Sequence, residues 1–256
     1  MGPMTVEPFA LRRRVEVIAH RGFSARAPEN TLAALALGVS AGADAVEFDL
    51  HATQDGIPVL LHDATLDRTT DRSGSIADLT NAELTGIDAG SWFSSDYEGE
   101  PVPSVQAAFD LLAPSGVRIY PEVKRTSRPE ELHRVAEAAE RAGLLERTVF
   151  ISMDWDALDT IRSVTPQALI GYIVERPKRA EEAIERATGD PRALVDFDAR
   201  ILLALPGYAT QANERSVPLA TWTVNSVDQA ERLLALGVPR ITTNEVADLV
   251  AWRDTL

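Results

Sequence analysis

Seven titratable side chains between residues 20 and 124 have the types and spacing for joint chemistry. They fall in four short pieces: His20-Arg21-Gly22, Glu47-Phe48-Asp49, His62-Asp63 and Glu122-Val123-Lys124. Each piece closes an apolar run that reads as a β-strand. Glu47 and Asp49 are two apart, as are Glu122 and Lys124, so each pair shares a strand face. Three carboxylates, two imidazoles, a guanidinium and an ammonium can therefore meet at one end of a parallel sheet. That set suits a divalent-metal site acting on a phosphate ester.

Glu47, Asp49 and Glu122 are the candidate metal ligands. Oxygen donors without cysteine favour Mg²⁺ or Ca²⁺ over zinc. The plainer reading is that these acids form ion pairs with Arg21 and Lys124. His20 and His62 are the candidate acid and base, because cleaving a phosphodiester takes one proton from the nucleophile and gives one to the leaving alkoxide. Arg21 and Lys124 would hold the phosphoryl oxygens. Asn30 is either a contact to phosphate or substrate hydroxyl or a helix cap. Trp222 is either an apolar wall for the alcohol or barrel core. His51 reads as structural, and His133 as a surface residue.

The elements that must position these groups alternate regularly. Strands are expected at 15–19, 45–50, 117–123, 148–152, 168–174, 194–197, 218–224 and 240–243, with an extended return at 59–62. Helices are expected at 31–41, 104–112, 129–141, 154–164, 178–188, 226–236 and 245–253, with a less distinct one at 208–215. Some eight β/α units imply parallel strands joined by right-handed crossovers. They point to a closed (β/α)8 barrel, whose sites lie at the strand C-termini. An open doubly wound sheet is the runner-up, but no Gly-x-Gly-x-x-Gly follows the first strand. Periodicity fades from 64 to 102, where Thr, Asp, Ser and Gly are frequent. A loop of that length is improbable in a compact domain, so it reads as an insertion beside the site, a lid or specificity loop. The expectation is a single domain over residues 1–256.

Composition narrows the partners. The net charge of −14 argues against nucleic acid and against docking on anionic membrane. The chain has no cysteine, which excludes disulfides and thiol catalysis. No apolar run has the length of a signal peptide or approaches the ~20 residues of a membrane span, so cytoplasmic placement is expected.

The motifs resemble those of the glycerophosphodiester phosphodiesterase family. The resemblance runs through His20-Arg21-Gly22, Pro28-Glu29-Asn30-Thr31, Glu47-Phe48-Asp49-Leu50, Asp55-Gly56, Leu61-His62-Asp63, Thr65-Leu66-Asp67-Arg68-Thr69-Thr70, Glu122-Val123-Lys124 and Thr221-Trp222-Thr223-Val224-Asn225. It spans nearly the whole chain and is densest from 17 to 124. It implies a TIM barrel with an insertion after the second strand. It also implies cation-dependent hydrolysis of a small glycerophosphodiester to glycerol 3-phosphate and an alcohol. By motif, Glu47, Asp49 and Glu122 match metal ligands, His20 and His62 the acid–base pair, and Arg21 and Lys124 the phosphate contacts. The chain departs from the family at Asn244, where an Asp often follows the last strand. It departs again at Met153, usually aromatic, and over 190–215. A lipid diester handled in lysophospholipase-D fashion is the alternative substrate, and a non-catalytic phosphate-ester sensor the alternative role.

Overall fold

The computed structural model describes residues 8–124 and 128–256. The first residues of the N-terminal stretch expected to lack a signal lie outside that range. Nine strands follow in order: β1 (Glu16–Ala19), β2 (Ala45–Ala52), β3 (Pro58–Leu60), β4 (Arg118–Val123), β5 (Val149–Ser152), β6 (Leu169–Val174), β7 (Ala193–Asp198), β8 (Leu219–Trp222) and β9 (Arg240–Thr243). All but β3 pair in parallel, in the order β1-β9-β8-β7-β6-β5-β4-β2, and β2 returns to β1. The sheet is thus a closed barrel of eight parallel strands. The return segment expected at 59–62 is β3, which runs antiparallel to β2 and pairs Leu50 with Leu60.

Helices α1 (Leu32–Ser40), α2 (Val105–Leu112), α3 (Pro129–Arg141), α4 (Trp155–Val164), α5 (Ala180–Ala187), α6 (Ala199–Ala204), α7 (Gly207–Glu214), α8 (Val227–Ala235) and α9 (Val246–Arg253) surround it. Their starts follow local chemistry. The Thr31 hydroxyl accepts from Ala34 N at the head of α1, and Ser104 and Ser226 do the same for α2 and α8. Helix α6 was not expected. It is only six residues long and is capped by Asp198, whose carboxylate accepts from Arg200 N at 2.9 Å. One turn and a half is too short for a periodic stripe.

Two apolar layers hold the barrel. The outer one packs helices on strands, with Phe48, Phe109, Leu158 and Phe197 among its fully buried members. The inner one fills the lumen with alternate strand residues: Ile18, Ala45, Tyr120, Val149, Ile151, Leu169, Ile173, Leu194 and Ala220. Phe9 closes the lumen at the strand N-termini. Beside it Glu16 accepts from Tyr120 Oη at 2.8 Å and pairs with Arg118 at 3.2 Å. The polar site is therefore confined to the opposite end, where side chains two positions further along each strand emerge above this plug.

The segment after β3 has its own apolar cluster, in which Leu61, Leu66, Ile76, Leu84, Ile87 and Val102 pack together with Val59. Two short 3₁₀ turns, Ile76–Asp78 and Ser95–Tyr97, lie within it. It touches the barrel rim where Tyr97 Oη donates to Arg26 O at 3.0 Å and where Glu100 accepts from Ala33 N at 3.0 Å. Among the described residues no helix is long and apolar enough to cross a membrane.

Candidate active site

The turn after β1 sets the first part of the site. Arg21 and Gly22 both have left-handed backbone, with φ 56° and 77°. Gly22 lies so close to α1 that a Cβ there would sit 2.4 Å from the Ala34 carbonyl carbon. Only glycine allows that approach. The turn aims Arg21 N at Glu47 Oε2, at 2.8 Å, and Gly22 N at Glu47 O, at 3.2 Å. The His20-Arg21-Gly22 motif is thus a docking turn that binds β2 as well as a carrier of side chains.

Closure of β1 on β2 and pairing of β2 with β4 bring the acids together. Asp49 lies opposite Glu122 in the parallel register. One oxygen from each of Glu47, Asp49 and Glu122 lies within 4.8 Å of the others. Arg21 Nε approaches Asp49 Oδ2 at 3.1 Å, and Lys124 Nζ lies 2.8 Å from Asp49 Oδ1 and 2.7 Å from Glu122 Oε1. The ion-pair reading is therefore realised for Asp49 and Glu122, while Glu47 meets Arg21 through the Arg21 backbone N–H. Even so, Glu47 Oε1 and Asp49 Oδ1 are buried without an aligned hydrogen-bond donor. The 2.8 Å contact to Lys124 is a charge contact with poor hydrogen-bond geometry. Three carboxylate oxygens within 4.8 Å of one another fit a hard divalent cation.

The three acids differ in environment. Burial, with Asp49 and Glu122 nearby, pushes the Glu47 carboxyl well above its usual range. Burial and the Asp49 charge push Glu122 up to about 7. Burial acts the same way on Asp49, but Lys124 and Arg21 outweigh it and hold Asp49 below the usual range. Asp49 thus favours its charged form, while Glu47 and Glu122 are biased toward the protonated form that a bound cation would oppose.

Asn30 is not the helix cap. Thr31 is the helix cap, and the Asn30 amide grips Asp49: Nδ2 donates to Oδ2 at 2.9 Å and Oδ1 accepts from Asp49 N at 3.0 Å. Asn30 adopts φ 60°, a conformation asparagine tolerates better than most residues.

Both histidines line the cavity. His20 Nδ1 donates to Asn244 Oδ1 at 2.6 Å, which leaves Nε2 with its lone pair, 4.0 Å from Glu47 Oε2. Burial, reinforced by Arg21, lowers the His20 imidazole to about 4, so the ring is neutral at pH 7. His62 is a third exposed and lies at the mouth, with Nδ1 2.7 Å from Asp63 Oδ1. Asp63 in turn accepts from Arg68 Nε at 2.6 Å. His51, on the same β2 face as Asp49, donates Nε2–H to His62 O at 3.0 Å, a structural tie. Trp222 packs against the lumen cluster and also lines the cavity.

The cavity of about 100 Å³ is bounded by His20, Arg21, Glu47, His62, Glu122 and Lys124 on one side. Ile151, Met153, Ile173, Asp196, Trp222 and Thr242 line the other. Sequence reasoning missed three contributors. Glu29 joins Arg21 (2.8 Å) to Arg68 (2.8 Å), tying the inserted segment to the site. Asn244 was noted only as a departure from a pattern. Asp196 was overlooked, although an acid flanked by Val195 and Phe197 in a fully buried strand is a readable anomaly.

Similarity to known proteins converges on one family. A family model described as the glycerophosphoryl diester phosphodiesterase family matches residues 20–248. A glycerophosphodiester phosphodiesterase of Caldanaerobacter subterraneus is 29% identical, over 91% of this chain and 96% of its own. A phosphodiesterase of Oleispira antarctica, solved in complex with the product sn-glycerol-3-phosphate, is 28% identical with a TM-score of 0.82, covering 93% of this chain and 96% of that one. An Agrobacterium tumefaciens glycerophosphodiester phosphodiesterase has the same fold at 23% identity and a TM-score of 0.79, covering 93% and 99%.

Proposed function

The chain belongs to the glycerophosphoryl diester phosphodiesterase family and is a phosphoric diester hydrolase; from that premise we propose how its residues divide the work. The substrate is a small glycerophosphodiester, cleaved to glycerol 3-phosphate and an alcohol. The observation that carries this reading is the convergence of two oriented histidines, three carboxylates, Arg21 and Lys124 on one cavity.

Glu47, Asp49 and Glu122 would hold Mg²⁺ or Ca²⁺. When bound, such a cation supplies Lewis-acid polarisation of a phosphoryl oxygen. Arg21 and Lys124 face the same region and neutralise the phosphate charge. His20, neutral and with Nε2 unprotonated, removes a proton from the nucleophile. His62, at the mouth and oriented by Asp63, protonates the alcohol that departs toward solvent. The nucleophile is either the neighbouring glycerol hydroxyl, giving a cyclic phosphate that water opens, or water itself. The chain acts as one barrel domain, with residues 64–102 inserted and bracing the His62 side through Arg68.

The test is release of glycerol 3-phosphate from glycerophosphocholine with Mg²⁺, Ca²⁺ or EDTA, read by a coupled dehydrogenase. Cation-dependent release supports the reading. No release from folded protein with either ion rejects it, and a long-chain lysophospholipid in the same assay tests the lipid alternative. A diester with its glycerol hydroxyl blocked separates the two nucleophiles: full turnover of that analogue eliminates the cyclic route.

A further inference from the structure

Among the described residues, Asp196 is a buried acid lining the cavity that the mechanism above does not use. Asp196 lies on the lumen face of β7, 3% exposed, and its Oδ1 is buried with no hydrogen-bond partner. Its neighbours in register are Ile173 on β6 and Ala220 on β8, both apolar. A carboxyl in such a setting is costly unless something bonds to it. Among the described residues no group does, and the side chain lines the same cavity as Glu122 and the two histidines.

The surroundings select the chemistry of the missing partner. Burial, with Glu122 adding to it, holds the Asp196 carboxyl well above its usual range and so favours its protonated form. A neutral carboxyl offers one O–H donor and a carbonyl acceptor. Phosphate is drawn instead to Arg21 and Lys124, across the cavity. A cationic group would force Asp196 to ionise beside Glu122. An alcohol hydroxyl donates and accepts without any change of charge. The phosphate fixed on the β1–β2–β4 side leaves its ester arm to cross toward β5–β8, where Asp196 stands alone among apolar walls.

We propose that Asp196 is a specificity-determining residue that hydrogen-bonds a hydroxyl of the glycerol half of the diester, so that the chain selects polyol phosphates over simple alkyl phosphates. The inference rests on the phosphodiester reading of the site. A buried polar group aimed at a substrate hydroxyl rejects the analogue lacking it, because the protein group is then left unpaired.

The experiment measures dissociation constants of the monoesters sn-glycerol 3-phosphate and n-propyl phosphate in Mg²⁺ by calorimetry. These compounds contain only one half of the diester, so the leaving alcohol plays no part. The intact protein should prefer the glycerol ester by about 10–100-fold. Asp196→Leu should reduce that ratio to ~3-fold or less, leaving propyl phosphate within ~3-fold of its original affinity. Asp196→Val is a second apolar variant suited to a strand, and Asp196→Asn, which keeps a donor and an acceptor, should restore most of the preference. An unchanged ratio in the apolar variants overturns the proposal. So does equal weakening of both ligands, or no preference in the intact protein. An intact protein that shows this Asp196-dependent preference but cleaves no glycerophosphodiester would sink the catalytic reading alone.

Discussion

Replacing Asn30 by alanine tests how far the site depends on the amide that holds Asp49 in place. The substitution removes two hydrogen bonds to buried Asp49, one to its backbone N–H and one to its carboxylate. The first is worth ~1 kcal/mol and the second, made to a charge, ~2 kcal/mol. Alanine at φ 60° adds ~1 kcal/mol of backbone strain. Asn30→Ala should therefore lose ~4 kcal/mol of stability, and Asn30→Gly, free of the strain, ~3 kcal/mol. Because Asp49 then loses its orienting partner, affinity for Mg²⁺ or Ca²⁺ should fall ~10–100-fold. Urea denaturation gives the first quantity and calorimetric titration the second. A stability loss under ~1 kcal/mol for Asn30→Ala, or cation affinity within twofold of the parent, would refute the reasoning.

Other outcomes follow from the same geometry. His20→Ala and His62→Ala should each cut turnover ~10²-fold or more while circular dichroism and melting stay close to the parent; near-native turnover would remove that histidine from the mechanism. Cation affinity should climb as pH rises toward about 7, because Glu122, raised to about 7, must lose its proton to bind, and the raised Glu47 carboxyl acts in the same direction; a flat profile would contradict it. In the cation-free protein the raised Glu122 carboxyl favours the protonated fold, so its contribution to stability is full below about 4.5 and lost as pH rises through about 7. Asp49, held low, changes in the opposite sense at more acidic pH and leaves that window alone; denaturation midpoints at pH 5 and 8 read the difference. Gly22→Ala should destabilise by ~3 kcal/mol or more through the clash with the Ala34 carbonyl, whereas Gly116→Ala, with open space around its Cβ, should cost ~1 kcal/mol.

Much of this protein was legible in one dimension. Apolar runs four to eight residues long, separated by helical periodicity and Ser or Thr caps, located every barrel strand. The i, i+2 spacing placed Glu47 with Asp49 and Glu122 with Lys124, because alternation of faces is a property of any extended chain. Polar residues at strand ends marked where the site lies, and the motif resemblance extended that to a family and a reaction class.

Tertiary structure decided who partners whom. His20 meets Asn244 across 224 residues, and Asn30 meets Asp49 across 19, through barrel closure and strand register that no local pattern encodes. The same closure buries Glu47 and Asp196 while pairing Asp49 with two cations, so three chemically similar acids acquire different protonation behaviour. Solvent exclusion and charge neighbours depend on distances in space. The sequence by itself therefore determined which groups are available and on which face of which strand they stand. Only the closed barrel decided which of them are charged, which are oriented, and that Asp196, among the described residues, is left lining the cavity with a buried oxygen that has no partner.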